Sequence, residues 1–252
     1  MSTVRSEDHD AGVRLLTLDR PPANAIDEEL LTDLSAALTL AKADDAVRAV
    51  ILTGAGRFLS GGFDLTMPRR DAAATRQLDE LYRDAHLALL ELPKPTIAMV
   101  QGHAIAGGVI LALACDYRLG LDGEYKVGLN EVAIGASFPR VAFEIVRLRL
   151  TYGRAAELLL GGALYPASQA VRLGIVDELL PADQLESTVL RRAARMGALP
   201  REAYAHTKAA LIADALRSVR AETAAEAQAT TAVWTTDESR AARAAQRKKL
   251  AG

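Results

Sequence analysis

Apolar positions along the chain switch repeatedly between a period near two and a period near 3.6, the marks of strands and helices. Gly12–Asp19 (GVRLLTLD) alternates as a strand and is ended by Arg20-Pro21-Pro22. Asp27 then precedes a leucine- and alanine-rich stretch at helical spacing, with Asp27 as N-cap and Glu28 and Glu29 in the first turn. Val47–Thr53 (VRAVILT) is a short β-branched run of the kind buried in a parallel sheet, and Gly54-Ala55-Gly56 closes it. Phe58–Leu65 (FLSGGFDL) reads as a loop, Met67–Ala74 as a polar, helix-breaking, mobile segment, and Thr75–Leu92 as a helix stopped by Pro93-Lys94-Pro95. Thr96–Val100 (TIAMV) is the next strand. It feeds Gln101–Tyr117 (QGHAIAGGVILALACDY), which predicts a tight turn at Gly107-Gly108 and then a helix buried on most faces.

Further on, Asp116–Leu119 and Tyr125–Val127 read as strands around Gly123, and Gly128–Pro139 (GLNEVAIGASFP) as an ordered loop or short turns. Helices are predicted at Arg140–Leu150, Ala155–Leu160 and Ala167–Leu173, with Gly174 as a C-cap before a strand in IVDELLP. Strands alternating with helices over short connections predict an α/β fold built from right-handed βαβ units. From Ala182 onward the composition becomes Ala-, Arg- and Glu-rich and reads as consecutive helices. Such a tail makes a poor core of its own, so it is expected to pack on the sheet-based part or on a neighbouring subunit.

Composition narrows the function classes. The chain has 252 residues, half of them hydrophobic and a quarter charged, with a net charge of −2. That balance disfavours nucleic acid or an anionic membrane as the main partner. The single cysteine, Cys115, excludes an intrachain disulfide and a cysteine-rich metal site. The polar, acidic N-terminus does not resemble a secretory or transit peptide, and no apolar run reaches the length of a membrane span, so the cytoplasm is the expected location.

Two glycine loops, Gly61-Gly62 and Gly107-Gly108, follow two strands of the expected sheet. In a parallel arrangement both emerge at the carboxyl ends of strands, where open α/β sheets build sites. Glycines there either allow close packing or let a ligand reach the backbone, and two converging N–H groups would hold an enolate or tetrahedral oxyanion. No G-x-x-x-x-G-K-[ST] or G-x-G-x-x-G spacing is present, which argues against nucleotide chemistry. Glu131 stands among apolar neighbours, as either a surface carboxylate or a base of raised pKa. Glu144 is expected to pair with Arg140 or Arg147 on one helix face. His9, His86, His103 and His206 form no catalytic set, no serine has a nucleophile context, and no ligand spacing for a metal is present.

The order RPPANAID, GRFLSGGFDL, QGHAIAGGVILALACDYRL, GLNEVAIG and a later A-x-x-x-G-I-V-D resembles the crotonase (enoyl-CoA hydratase/isomerase) superfamily over nearly the whole chain. The resemblance implies a spiral of ββα units over residues 1–180, binding an acyl-coenzyme A thioester. It implies a C-terminal helical region over 181–252 that serves oligomer packing and covers the active site, in a homotrimer or dimer of trimers. No cofactor is implied, coenzyme A being part of the substrate. Matched by motif, the oxyanion donors would be the amides of Phe63 and Gly107, with Glu131 as acid/base. Gly61, Gly62, Asp64 and Leu65 would line the coenzyme A side, and Ala23, Asn24 and Ala25 would sit near its adenosine or pantetheine portion. Gly108, Ile110 and Asn130 would complete the pocket. By its own composition Asp64 would sooner be a turn or cap residue than a base.

The departures from the family pattern point to the reaction. Hydratases of the family place a second glutamate where this chain has Ile110, and a P-G-x-G-G loop where it has Pro139-Arg140-Val141-Ala142. With one carboxylate left, the motifs resemble Δ3,Δ2-enoyl-CoA isomerases most. A hydratase-like lyase and a non-catalytic acyl-CoA binder stay open, as do contacts of Lys208 and Trp234 with coenzyme A or a neighbouring subunit.

Overall fold

Residues 2–67 and 72–251 are described by the structure, a computed structural model. The chain opens with β1 (Val4–His9), β2 (Val13–Leu18), α1 (Glu28–Ala43), β3 (Ala49–Gly54), β4 (Phe58–Ser60) and α2 (Ala72–Leu90). Then come β5 (Thr96–Val100), β6 (His103–Ile105), α3 (Gly107–Ala114), β7 (Tyr117–Leu121), β8 (Lys126–Gly128), α4 (Arg140–Arg149) and α5 (Tyr152–Gly161). The last part holds β9 (Tyr165–Pro166), α6 (Ala170–Leu173), β10 (Glu178–Leu180), α7 (Ala182–Gly197), α8 (Arg201–Arg220), α9 (Ala224–Trp234) and α10 (Asp237–Ala251).

Six strands form one sheet in the order β1-β2-β3-β5-β7-β10, parallel throughout except for the antiparallel β1–β2 pair. Every residue of β3 is buried because both faces are covered. Val50 and Leu52 join the core beneath α1, α2 and α3, while Ala49 and Ile51 meet Leu185, Val189, Ala193 and Met196 of α7. Alternate side chains of a strand point to opposite faces, so one β-branched run serves two cores. α1 starts where expected: the Asp27 carboxylate accepts from the Leu30 amide at 2.9 Å, and Leu30, Leu31, Leu34 and Leu38 turn inward.

A second, smaller sheet, β4-β6-β8-β9, was not foreseen. Its first three strands run parallel, and β9 is antiparallel to β8. Phe58–Leu65 is therefore not all loop, and the glycine turn at Gly107 follows β6 rather than β5 directly. Strands of three residues carry too little alternation to be read from sequence. Other differences are smaller. The polar N-terminus forms the edge strand β1, its exposed charges suited to an unpaired edge. α2 begins at Ala72 instead of Thr75, and IVDELLP contributes strand only at Glu178–Leu180. The expected mobile segment at 67–74 lies partly outside the described residues. Among those described, no helix is long and apolar enough to cross a membrane, and no three His, Cys, Asp or Glu gather where they would hold a metal.

Lys208, on α8, is buried away from the glycine loops. Its ammonium donates to Asp116 at 2.8 Å, and the same carboxylate accepts from Tyr204 and from the amide and hydroxyl of Thr96. This cluster ties α8 to the ends of β5 and β7. Glu144 pairs with Arg147 at 3.2 Å and accepts from Ser218, while Arg140 reaches Glu226 instead.

Candidate active site

Three neighbouring parallel strands of the small sheet each deliver one candidate residue past their carboxyl ends. β4 leads through Gly61 and Gly62 to Phe63, β6 through Ala106 to Gly107, and β8 through Leu129 and Asn130 to Glu131. The register pairs Ile105 with Gly128, and the Ala106 amide donates to the Gly128 carbonyl at 2.8 Å.

The first two loops touch. A Cβ built on Gly62 would lie 2.7 Å from Ala106 Cβ and 3.3 Å from Gly107 N, and one on Gly107 would lie 3.7 Å from Gly62 Cα. Gly62 also has φ +81°, which favours glycine. Gly108 packs on Ser60, whose carbonyl oxygen would stand 2.3 Å from an added Cβ. Ala106, with φ 53° and ψ −124°, is a side-chain-bearing residue in a conformation glycine prefers. It turns the chain so that Gly107 opens α3, where the first amides have no intrahelical acceptor. Phe63 bridges Ile26 in parallel: Ile26 N donates to the Gly62 carbonyl at 2.8 Å and Asp64 N to the Ile26 carbonyl at 3.0 Å. That pattern turns the Phe63 amide away from Ile26, and neither it nor the Gly107 amide donates to an acceptor among the described residues.

Glu131 is 8% exposed, and its Oε2 is buried with no hydrogen-bond partner among the described residues. Burial pushes its pKa up to about 8, so the carboxyl can exchange a proton near neutrality. Tyr82 of α2 links it to the glycine loops. The Tyr82 ring stacks on Phe63 with centroids 4.9 Å apart, and its Cε2 would be 3.7 Å from a Cβ on Gly107. Burial and then the charge of Glu131 raise the Tyr82 pKa further above its ordinary value. Nothing in the local sequence of α2 distinguishes this tyrosine from a core residue. His86, one turn on, has its pKa lowered by burial to about 4; its Nδ1 lies 2.7 Å from the Tyr82 carbonyl oxygen.

The remaining candidates divide by what they touch. Asn24, 1% exposed at φ 48°, uses its side chain as a staple. Its Nδ2 donates to the carbonyls of Ala55 and Phe58, and its Oδ1 accepts from Arg20 N. The Ala23 carbonyl accepts from Gly61 N at 2.8 Å, and the Ala25 carbonyl from Arg20 Nη1 at 3.2 Å. Asp64 pairs with Arg20 at 2.8 Å and accepts from the amide and hydroxyl of Thr66. Burial raises its pKa, but these bonds outweigh that and hold it below the usual range. It is a turn residue, as its composition suggested. Leu65 is half-buried, and its carbonyl accepts from Arg247 at 3.3 Å. Ile110 is wholly buried on α3. The Asn130 carbonyl accepts from Ile134 N, closing the short turn that carries Glu131. Trp234 reaches the site from α9, its ring edge-on to Phe63 with centroids 5.9 Å apart.

Comparison with known proteins agrees with this architecture. The Enoyl-CoA hydratase/isomerase family model matches residues 8–250. Human "Enoyl-CoA delta isomerase 1, mitochondrial" is 34% identical over 210 residues, covering 80% of this chain and 68% of the relative. "Probable enoyl-CoA hydratase echA17" of Mycobacterium avium is also 34% identical, over 209 residues, covering 82% of this chain and 80% of the relative. The crystal structure of human mitochondrial Δ3-Δ2-enoyl-CoA isomerase superposes with a TM-score of 0.93 at 29% identity, covering 98% of each chain. An enoyl-CoA hydratase from Bacillus halodurans superposes at 0.87 with 25% identity, covering 97% of this chain and all of the other. With the family matched from residue 8 to residue 250 and the crotonase fold shared over almost its full length, this chain belongs to the enoyl-CoA hydratase/isomerase family.

Proposed function

We propose that the chain is a Δ3,Δ2-enoyl-CoA isomerase, moving the double bond of a 3-enoyl thioester to the 2-position. The observation that carries this reading is Glu131, one buried carboxyl of raised pKa, with Ile110 at the position where a family hydratase has its second glutamate. The thioester carbonyl oxygen would accept from the amides of Phe63 and Gly107, which act as an oxyanion hole. The Glu131 carboxylate removes a C2 proton, and the electron pair spreads over C2, C4 and the oxygen as a dienolate. The protonated Glu131 then returns the proton to C4, so the double bond moves from C3–C4 to C2–C3 with no net change in composition. One donor of this kind is worth on the order of 3 kcal/mol in the transition state. No cofactor enters the step, since coenzyme A arrives as part of the substrate.

Water addition would need a second group to orient and protonate, and isoleucine does neither. A hydratase-like lyase is the alternative, favoured by a relative of that name at the same identity as the isomerase. Incubation with a 3-enoyl-CoA, followed by absorbance of the conjugated thioester, tests the isomerase. Wild type should turn over and Glu131→Gln should lose about 10²–10⁴-fold in rate. No product, or an unchanged rate in the variant, ends the proposal. Hydration of a 2-enoyl-CoA faster than the double-bond shift, dependent on Glu131, would establish the lyase instead.

A homotrimer or dimer of trimers is part of the same reading, supported by large apolar side chains left exposed at Tyr152 (89%) and Leu160 (74%). Light scattering on the purified chain checks it.

A further inference from the structure

Residues 234–247, spanning the junction of α9 and α10, touch both loops that the proposed reaction uses. Trp234 lies edge-on to Phe63, and its Nε1–H donates at 3.0 Å to the carbonyl of Ser137, beyond the Glu131 turn. Arg243 stands over the indole, its guanidinium carbon 5.7 Å from the ring centroid. Its Nη1 donates to the Gly135 carbonyl at 3.3 Å, at the end of the turn that begins with Glu131, and its Nη2 donates to the Trp234 carbonyl. Ser239, itself buried, fills the space beside Gly135, where an added Cβ would lie 2.5 Å from Ser239 Cα. Arg247 reaches back to the Leu65 carbonyl, two residues past Phe63.

Arg243 has no carboxylate partner among the described residues. Burial, then repulsion from Arg247 and Arg240, lowers its pKa, and two carbonyls and one ring face hold the cation. A charge placed this way adds little as a surface ion pair would, but it fixes the indole against a backbone carbonyl. The contacts join α10 to the Glu131 turn and α9 to the residue whose amide is the proposed oxyanion donor.

We propose that Arg243 and Trp234 are positioning residues, a strap that sets the distance between the Phe63 amide and the Glu131 carboxyl. This rests on the roles given to Phe63 and Glu131 above. Neither strap residue touches the reacting atoms; both act through the loops they grip. A displacement near 1 Å between donor and base is enough to cost about 100-fold in rate.

Trp234 is the only tryptophan in the chain, so its emission reads the strap directly. The full-length protein is titrated with a saturated acyl-CoA such as hexanoyl-CoA, which binds but has no double bond to move, and kcat is measured with the matching 3-enoyl-CoA. Wild-type emission should change saturably. Arg243→Met should lose at least half of that change and about tenfold or more in kcat, with acyl-CoA affinity kept within about threefold. Arg243→Lys, which keeps a cation for the ring, should recover part of kcat. If Arg243→Met fails to fold, Arg243→Lys and Trp234→Phe carry the same kcat-against-affinity comparison. An unchanged kcat, a loss of affinity equal to the loss of kcat, or no emission response in wild type overturns the strap. Should wild type bind acyl-CoA without isomerising, the isomerase reading fails alone. The emission arm then decides the strap: an Arg243-dependent response upholds it, and an Arg243-independent one rejects it.

Discussion

The amide of Ala106 donates to the carbonyl of Gly128 across 2.8 Å, joining the residue before Gly107 to the strand that ends just before Glu131. That bond continues the β6–β8 ladder one residue beyond its last pair, so the Gly107 loop and the Glu131 loop share one rigid origin. β4, on the other side of β6, supplies Phe63 from the same sheet. Each loop is short, which leaves the three groups little freedom to drift apart.

The raised pKa of Glu131 sets a pH profile. kcat/KM of the proposed isomerisation should climb with pH and level off above about 8, where Glu131 is ionised in the free protein. Stability runs the other way. The folded carboxyl keeps its proton to about 8, against an ordinary value of 4.5, so its contribution is fully present below 4.5 and is lost as pH rises to about 8. Glu131→Gln stays neutral throughout. Melting curves at pH 5 and pH 8.5 should therefore show the variant gaining on wild type by about 4 kcal/mol for a carboxyl moved from 4.5 to about 8. A gap that does not move with pH would count against a buried, proton-holding Glu131.

The glycines differ in why they are glycines. Gly62→Ala meets Ala106 Cβ at 2.7 Å with φ +81°, and Gly108→Ala meets the Ser60 carbonyl oxygen at 2.3 Å, both on backbone or short side chains that cannot yield. Each should destabilise by about 2–4 kcal/mol. Gly107→Ala meets only the tip of Ile26 at 2.7 Å, which can rotate aside. Urea unfolding should rank Gly107→Ala as much the mildest, while its new methyl group, beside the proposed donor, lowers turnover. Equal stability losses at all three positions would contradict this account.

The side chain of Asn24 bonds the loop's own backbone. Asn24→Ala deletes three hydrogen bonds and leaves the Ala55 carbonyl in want of a donor, while the Phe58 carbonyl keeps only Gln101 Nε2 at 3.0 Å, a loss of about 2–4 kcal/mol by denaturant unfolding. Asn24→Asp removes the two donors while keeping the acceptor, so it should be comparably damaging. A variant as stable as wild type would return Asn24 to the list of direct ligand contacts.

Lys208 is buried beside Asp116, far from the small sheet's loops in connectivity and contact. Lys208→Met should destabilise by about 3–5 kcal/mol, because the Asp116 carboxyl loses its closest cation. Below its melting transition the variant should bind acyl-CoA as wild type does. Weakened binding with unchanged stability would instead give Lys208 the ligand role that its place in the tail left open.

Local pattern determined a great deal here. The β-branched run at Val47–Thr53, the Asp27 cap, the helix opened by Gly107 and the helical tail all follow from side-chain periodicity and end signals within a few residues of one another. The loop motifs carried the family, and Glu131 stood out because a carboxylate among apolar neighbours is costly unless it is used. Tertiary structure decided the rest. β4, β6 and β8 are three residues each, too short to announce themselves, yet their parallel pairing is what brings Phe63, Gly107 and Glu131 to one edge. Tyr82, Trp234 and Arg243 carry no local mark of their position, since a ring or a guanidinium is placed by what folds against it. The bonds that the Asn24 side chain makes to the backbone at Arg20, Ala55 and Phe58 carry no local mark either. These are contacts between residues far apart in the chain, and periodicity within one segment has no means of encoding the partner it will meet.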